Sequence, residues 1–184
     1  MNVSRGVWTG IMLFAAVAGL IRAESLTIQA RGSYFNPRDQ VFRDIYGHGM
    51  SWGGELGFKL TERIGFWAGG DYFSKLGKLI FTEEETKLRI APLTAGAKYY
   101  LALGKLRPYV GAGLGYFQYK ETNSIETVEK GDVGFVVRAG LVFKLGAPFF
   151  VDVQGTWSTC SVQPLEVKAN LGGFSAGVGL GLEF

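Results

Sequence analysis

His48 is the only histidine in a chain of 184 residues, and Asp44, Ser51 and Glu55 lie within a few positions of it. A histidine, a serine and a carboxylate are the parts of a hydrolase or acyltransferase: the imidazole takes the hydroxyl proton and the acid orients the ring. Yet His48 stands between Gly47 and Gly49, the setting of an ordinary loop residue, and no serine sits in a nucleophile motif. The expectation is therefore a protein that is not an enzyme. Cys160 is the only cysteine, which excludes an internal disulfide framework and a cysteine zinc cage, and it reads as a small filler rather than a reactive thiol. Glu83, Glu84 and Glu85 could meet calcium or the cations that bridge lipopolysaccharide, but a solvated loop is the simpler reading. Neither a cofactor nor a metal is expected.

A second set of charged residues has a different logic. Arg31, Glu55, Asp71, Lys98, Arg138 and Asp152, with Lys59, Lys144 and Glu183, all fall on one parity of segments in which the other parity is apolar. The last segment displays the rule. Phe174, Ala176, Val178, Leu180, Leu182 and Phe184 alternate with Ser175, Gly177, Gly179, Gly181 and Glu183. That period of two marks a β-strand with two unlike environments. The same alternation recurs over Leu26–Tyr34, Met50–Leu60, Ile64–Tyr72, Leu93–Leu101, Val110–Tyr116, Val133–Leu145 and Phe149–Trp157, which makes eight strands. No charged residue falls on the apolar face.

A soluble eight-stranded barrel keeps its apolar side inward. Here the charges share their face with a run of glycines, and charges cannot face hydrocarbon, so the charged face is the lumen and the apolar face meets lipid. The expected fold is all-β: an eight-stranded antiparallel up-and-down transmembrane β-barrel. Connections after the second, fourth and sixth strands are short, such as Thr61-Glu62-Arg63 and Gly146-Ala147-Pro148, and the others are longer and more charged. Aromatic residues sort into two girdles. Phe58, Phe66, Tyr99, Tyr109, Phe143, Phe149 and Phe184 are assigned to the short-turn rim. Tyr34, Trp52, Tyr72, Tyr116, Phe135, Trp157 and Phe174 are assigned to the long-loop rim. Near Pro92 the apolar parity flips, from Leu88 and Ile90 to Leu93, Ala95 and Ala97. Either a bulge at Ala91-Pro92 restores the register, or Leu88 and Ile90 stand above the membrane where parity is free.

The N-terminus has the layout of a secretory signal: Arg5, then the mostly apolar Val7–Ile21, then Ala23 as the small residue at the cleavage point. Residues 1–23 are read as a removed signal peptide and residues 24–184 as the barrel. The net charge of +3 and pI near 9.0 partly reflect Arg5 and Arg22; without them 17 basic residues face 16 acidic ones, which is no footprint for binding nucleic acid.

The signal, the eight alternating segments, the glycine-rich Tyr109–Phe117 and a terminal strand that ends in Phe184 resemble the small OmpA/OmpX-type outer-membrane β-barrel domains. The resemblance implies the outer membrane of a Gram-negative-type envelope, lipid and lipopolysaccharide as surroundings, a monomer, and assembly machinery that reads Phe184. It is expected to stop at the barrel, with no periplasmic peptidoglycan-binding domain. A structural or surface-interaction role follows; the alternatives are a narrow conduit for small hydrophobic molecules, as in OmpW-like barrels, and, further off, a lipid-modifying enzyme. For the interior charges, counting residues along the strands sets Arg31 level with Glu55, Asp71 with Arg138 and Lys98 with Asp152. A paired network that satisfies a polar core is favoured over a gate, because unpaired buried charge is costly. The first loop, with Val41, Phe42, Ile45 and Tyr46 among its charges, is expected to form a short packed lid.

Overall fold

Alternation is what builds the wall. The computed structural model describes residues 24–78, 85–122, 127–162 and 169–184; the signal-like N-terminus and Glu83 and Glu84 of the acidic run lie outside them. In chain order the elements are β1 (Ser25–Pro37), α1 (Gln40–Tyr46), β2 (Gly49–Lys59), β3 (Ile64–Lys78), β4 (Glu85–Tyr100), β5 (Leu106–Thr122), β6 (Thr127–Gly146), β7 (Phe149–Thr159), β8 (Ser161–Val162), β9 (Ala169–Asn170) and β10 (Gly173–Glu183). Strands β1 to β7 and β10 pair in sequence order into a closed antiparallel barrel, and β8 and β9 form a separate two-stranded ribbon. The expected eight-stranded up-and-down barrel is the observed fold.

Closure is made by β1 against β10, from Thr27 opposite Glu183 to Pro37 opposite Gly173. Leu26 and Phe184 exchange backbone bonds of 3.0 and 2.9 Å, so Phe184 is tied into the seam. The closed sheet leaves no free strand edge inside the membrane. The apolar residues point outward and stay exposed: Leu56, Leu114, Val137, Val178 and Leu180 are 48–61% accessible. The polar ones are buried inside, the reverse of a soluble domain.

The strands run further than the alternation alone marked. β3 to β6 continue past the outer girdle, to Lys78, from Glu85, to Thr122 and from Thr127. Across Pro92 the register is continuous, with Gly70 opposite Leu93 and Phe73 opposite Ile90, so there is no bulge. Leu88 and Ile90 point into the bore with Thr94 and Lys98 and are buried. What flips near Pro92 is the interior itself, from polar at membrane height to apolar above it.

Tyr109 corrects the girdle. It is buried inside the barrel, 1% exposed, on the same parity as Gly111 and Gly113. Its ring lies over Gly140 of β6, where an added Cβ would come within 2.6 Å of it. A side chain at residue 140 would push Tyr109 out of the bore.

Candidate functional site

The candidate site is the bore, filled in three tiers. Each of the six predicted interior charges stands opposite a glycine on a neighbouring strand: Arg31 and Asp71 face Gly53, Glu55 faces Gly69, Lys98 and Arg138 face Gly111, and Asp152 faces Gly179. The missing side chains give the long charged groups room to cross the lumen.

In the middle tier Glu55 is the hub. It accepts from Arg31 Nη1 at 2.9 Å, and it also forms ion pairs with Lys98 and Arg138. Arg31 turns its other face to Asp71, with Nε at 2.9 Å and Nη2 at 2.6 Å, a bidentate clamp. Arg138 adds Thr94 Oγ1 at 3.1 Å and lies over the Trp67 ring at 4.7 Å. Lys98 Nζ is 4.8 Å from the Tyr109 ring centre. Asp152, fully buried, accepts from the Tyr109 hydroxyl at 3.0 Å and from Gln29 Nε2 at 3.5 Å. Two of the expected pairings differ: Arg138 reaches Glu55 rather than Asp71, and Lys98 reaches Glu55 rather than Asp152. Heights counted along each strand ignore the stagger that closing a barrel imposes, and long side chains cross the bore instead of meeting their level neighbour.

The lower tier gathers Lys59, Arg107 and Lys144 around the Glu183 carboxylate at 2.6, 3.6 and 3.0 Å. Between it and the hub, Tyr100, Tyr109, Val142 and Phe150 form an apolar packing layer. Sequence reading placed Lys59, Lys144 and Glu183 on the lumen side; Arg107, in a turn-adjacent position without clear parity, was missed.

The upper tier is apolar. Phe73, Leu88, Ile90, Phe117, Val136, Cys160 and Leu171 pack with Phe42 and Tyr46 of α1. The helix begins at Asp39, whose side chain accepts from Phe42 N at 3.2 Å and from Asn170 N at 3.2 Å. It ends at Gly47, whose φ of 66° suits glycine. Phe42 and Tyr46, one turn apart, face down with ring centroids 5.3 Å apart. Glu121 accepts from the hydroxyls of Tyr46, Thr86 and Tyr119, which fastens the helix to the β4–β5 wall. Burial and the Glu121 charge hold the Tyr46 hydroxyl above its ordinary pKa. The expected lid is thus a helical plug. A cavity of about 50 Å³ lies between plug and hub, with Phe35, Phe73, Phe117, Ser51, Thr94 and Arg138 among its lining.

The remaining chemistry-bearing residues do not converge. His48 is exposed and its ring packs 5.2 Å from Tyr34 on the outer surface. Ser51 faces the bore, where its hydroxyl donates to the Ser33 carbonyl at 3.3 Å. Imidazole and hydroxyl therefore sit on opposite sides of the wall. Cys160 is buried in the plug above the girdle, where burial, then Asp132, pushes its thiol up to about 11. Among the described residues no group of histidine, cysteine and acidic side chains could hold a metal ion.

The family model for the outer membrane protein beta-barrel domain matches residues 12–184. Comparison with curated proteins finds no match to the chain. Among solved structures, OprG from Pseudomonas aeruginosa superposes with a TM-score of 0.72 at 13% identity, covering 89% of this chain and 97% of that one. Neisserial surface protein A gives 0.70 at 14%, covering 86% and 97%. The N-terminal barrel of OprF from Pseudomonas aeruginosa gives 0.59 at 21%, covering 88% and 98%. Those identities speak for a shared fold, and such barrels are mostly non-enzymatic proteins surrounded by the lipids of the outer membrane. A closed barrel with an apolar exterior, a charged interior and this family match make the chain a member of the outer-membrane β-barrel domain family, resident in the outer membrane.

Proposed function

We propose that this barrel is a closed, non-conducting element of the outer membrane with a structural or surface-interaction role, and that it catalyses no reaction. The observation that carries this reading is the filled bore. Arg138 and Asp152 are 1% and 0% exposed at mid-height, with the α1 plug above and the Glu183 cluster below. An eight-stranded barrel holds only enough interior for side chains, and here they occupy it. What such a barrel offers the surroundings is its lipid-facing belt and its tall outer wall, β3 to β6. Its biogenesis is proposed to follow the export route of its class: the N-terminal signal is removed, and Phe184 at the seam is read by the assembly machinery.

The second reading, passage of small hydrophobic molecules, draws on the apolar lining of the upper bore. It requires α1 to leave and a route through the wall, because the hub blocks straight passage. Uptake of a small alkane by cells with and without the protein distinguishes the two. Equal uptake supports the closed element; protein-dependent uptake that a Phe42→Ala plug variant increases would overturn it.

A further inference from the structure

We propose that Lys87, Arg89 and Lys120, on the outside of the tall β4–β5 wall, form a binding site for the phosphate groups of an outer-leaflet glycolipid. Residues 87 and 89 continue the parity of Leu93 and Ala95, and residue 120 that of Leu114 and Tyr116, so all three occupy positions that face away from the bore. Arg89 is directly opposite Lys120, and Lys87 is two residues higher on the same face. Directly opposed positions bring Cβ atoms to about 5 Å, and like charges there destabilise a sheet unless an anion lies between them. Among the described residues, Lys87 and Arg89 have no carboxylate partner; Lys120 has one, Glu129 at 3.1 Å, and both members of that pair are well exposed. An exposed pair of this kind is weak enough for a multivalent anion to displace.

Height selects the anion. Ser74 is the cross-strand partner of Arg89, and Tyr72 of the outer girdle lies two residues below Ser74. That is about 7 Å along the strand and about 5 Å of height at a barrel tilt of about 40°; Lys120, four residues above Tyr116 of the same girdle, stands about 10 Å above it, so the cluster rises through the headgroup layer. Over the outward positions from Lys78 opposite Glu85 down to Arg89 opposite Lys120, four cations stand against two carboxylates, Glu85 and Glu129, which leaves the face net positive. A guanidinium can grip a phosphate through two parallel bonds while the two ammonium groups add point charge. The site rests on the membrane placement alone and is indifferent to whether the bore conducts.

The test uses the full chain in phosphatidylcholine nanodiscs, titrated with bis-phosphorylated lipid A and, separately, with its dephosphorylated form and with inorganic phosphate. Electrophoretic mobility before and after heating verifies that each variant is folded. The phosphorylated lipid should bind about fivefold more weakly for each of Lys87→Gln, Arg89→Gln and Lys120→Gln. Glu129→Gln, which removes the competing carboxylate, should tighten binding. Dephosphorylated lipid should bind weakly, and millimolar phosphate should compete poorly. Unchanged binding in the three single variants, or equal binding of the dephosphorylated lipid, would overturn the site. Strong competition by free phosphate would overturn its assignment to a lipid.

Discussion

Glu55 carries more of the interior than any other residue, because three cations converge on its carboxylate. Glu55→Gln preserves shape and removes the charge. Arg31 keeps its two bonds to Asp71 at 2.9 and 2.6 Å and stays matched. Lys98 loses its only ion pair among the described residues and keeps the Tyr109 and Trp67 faces at 4.8 and 5.8 Å. Arg138 keeps only Thr94 Oγ1 at 3.1 Å and the Trp67 face at 4.7 Å, with its Nε already without a protein partner. Stranding Arg138 costs about 3–5 kcal/mol, of which the ring contact offsets about 1 kcal/mol, so with Lys98 unpaired as well the loss is at least about 2–4 kcal/mol. Arg138→Met is the milder change, since Glu55 retains Arg31 and Lys98. The loss is one charge-assisted bond, partly offset by relieving the orphaned Nε, or about 1–2 kcal/mol. In the double variant the two missing charges cancel, so its cost should fall short of the sum by at least about 1 kcal/mol. Urea titration of the folded barrel in lipid vesicles, followed by tryptophan fluorescence, measures all three. Additive costs within about 0.5 kcal/mol, or an Arg138→Met variant less stable than Glu55→Gln, would refute the hub.

Three further outcomes follow from the same geometry. Leu180, 58% exposed on the lipid face, should tolerate arginine poorly, at about 2–4 kcal/mol in bilayer refolding, whereas Ser175→Asn at the upper lumen should cost much less. Deleting Phe184 removes the seam bonds to Leu26 and one girdle contact, so refolding into pure lipid should lose about 1–3 kcal/mol. In cells the fraction reaching the outer membrane should fall further than that loss explains, and equal losses would make Phe184 a packing residue only. His48→Asn should leave the acylation of extracted lipids unchanged, and a His48-dependent change would restore the enzyme reading.

The wall was legible because lipid and lumen are opposite environments and the side-chain period is two, so eight segments declare themselves without help from propensity. Above the girdle that contrast ends. The upper halves of β3 to β6 present apolar residues inward and mixed ones outward, and alternation no longer marks them. The helical plug could be read from Asp39, the spacing of Phe42 and Tyr46, and Gly47. Tyr109 was legible too, since it shares the parity of Gly111, Gly113 and Gly115; assigning it to a girdle weighed residue type over parity. The partners of Arg138 and Lys98 were not legible. Which charges meet across a bore depends on stagger and on side chains that span the lumen, and neither appears in a strand read alone.

Single-channel recording in planar bilayers tests the closed bore most directly. Refolded wild-type protein should show no steady unitary current, and Glu55→Gln should show rare openings at most, because the α1 plug and the Glu183 cluster remain on either side of the hub. A stable, reproducible conductance from the wild-type barrel would contradict the account.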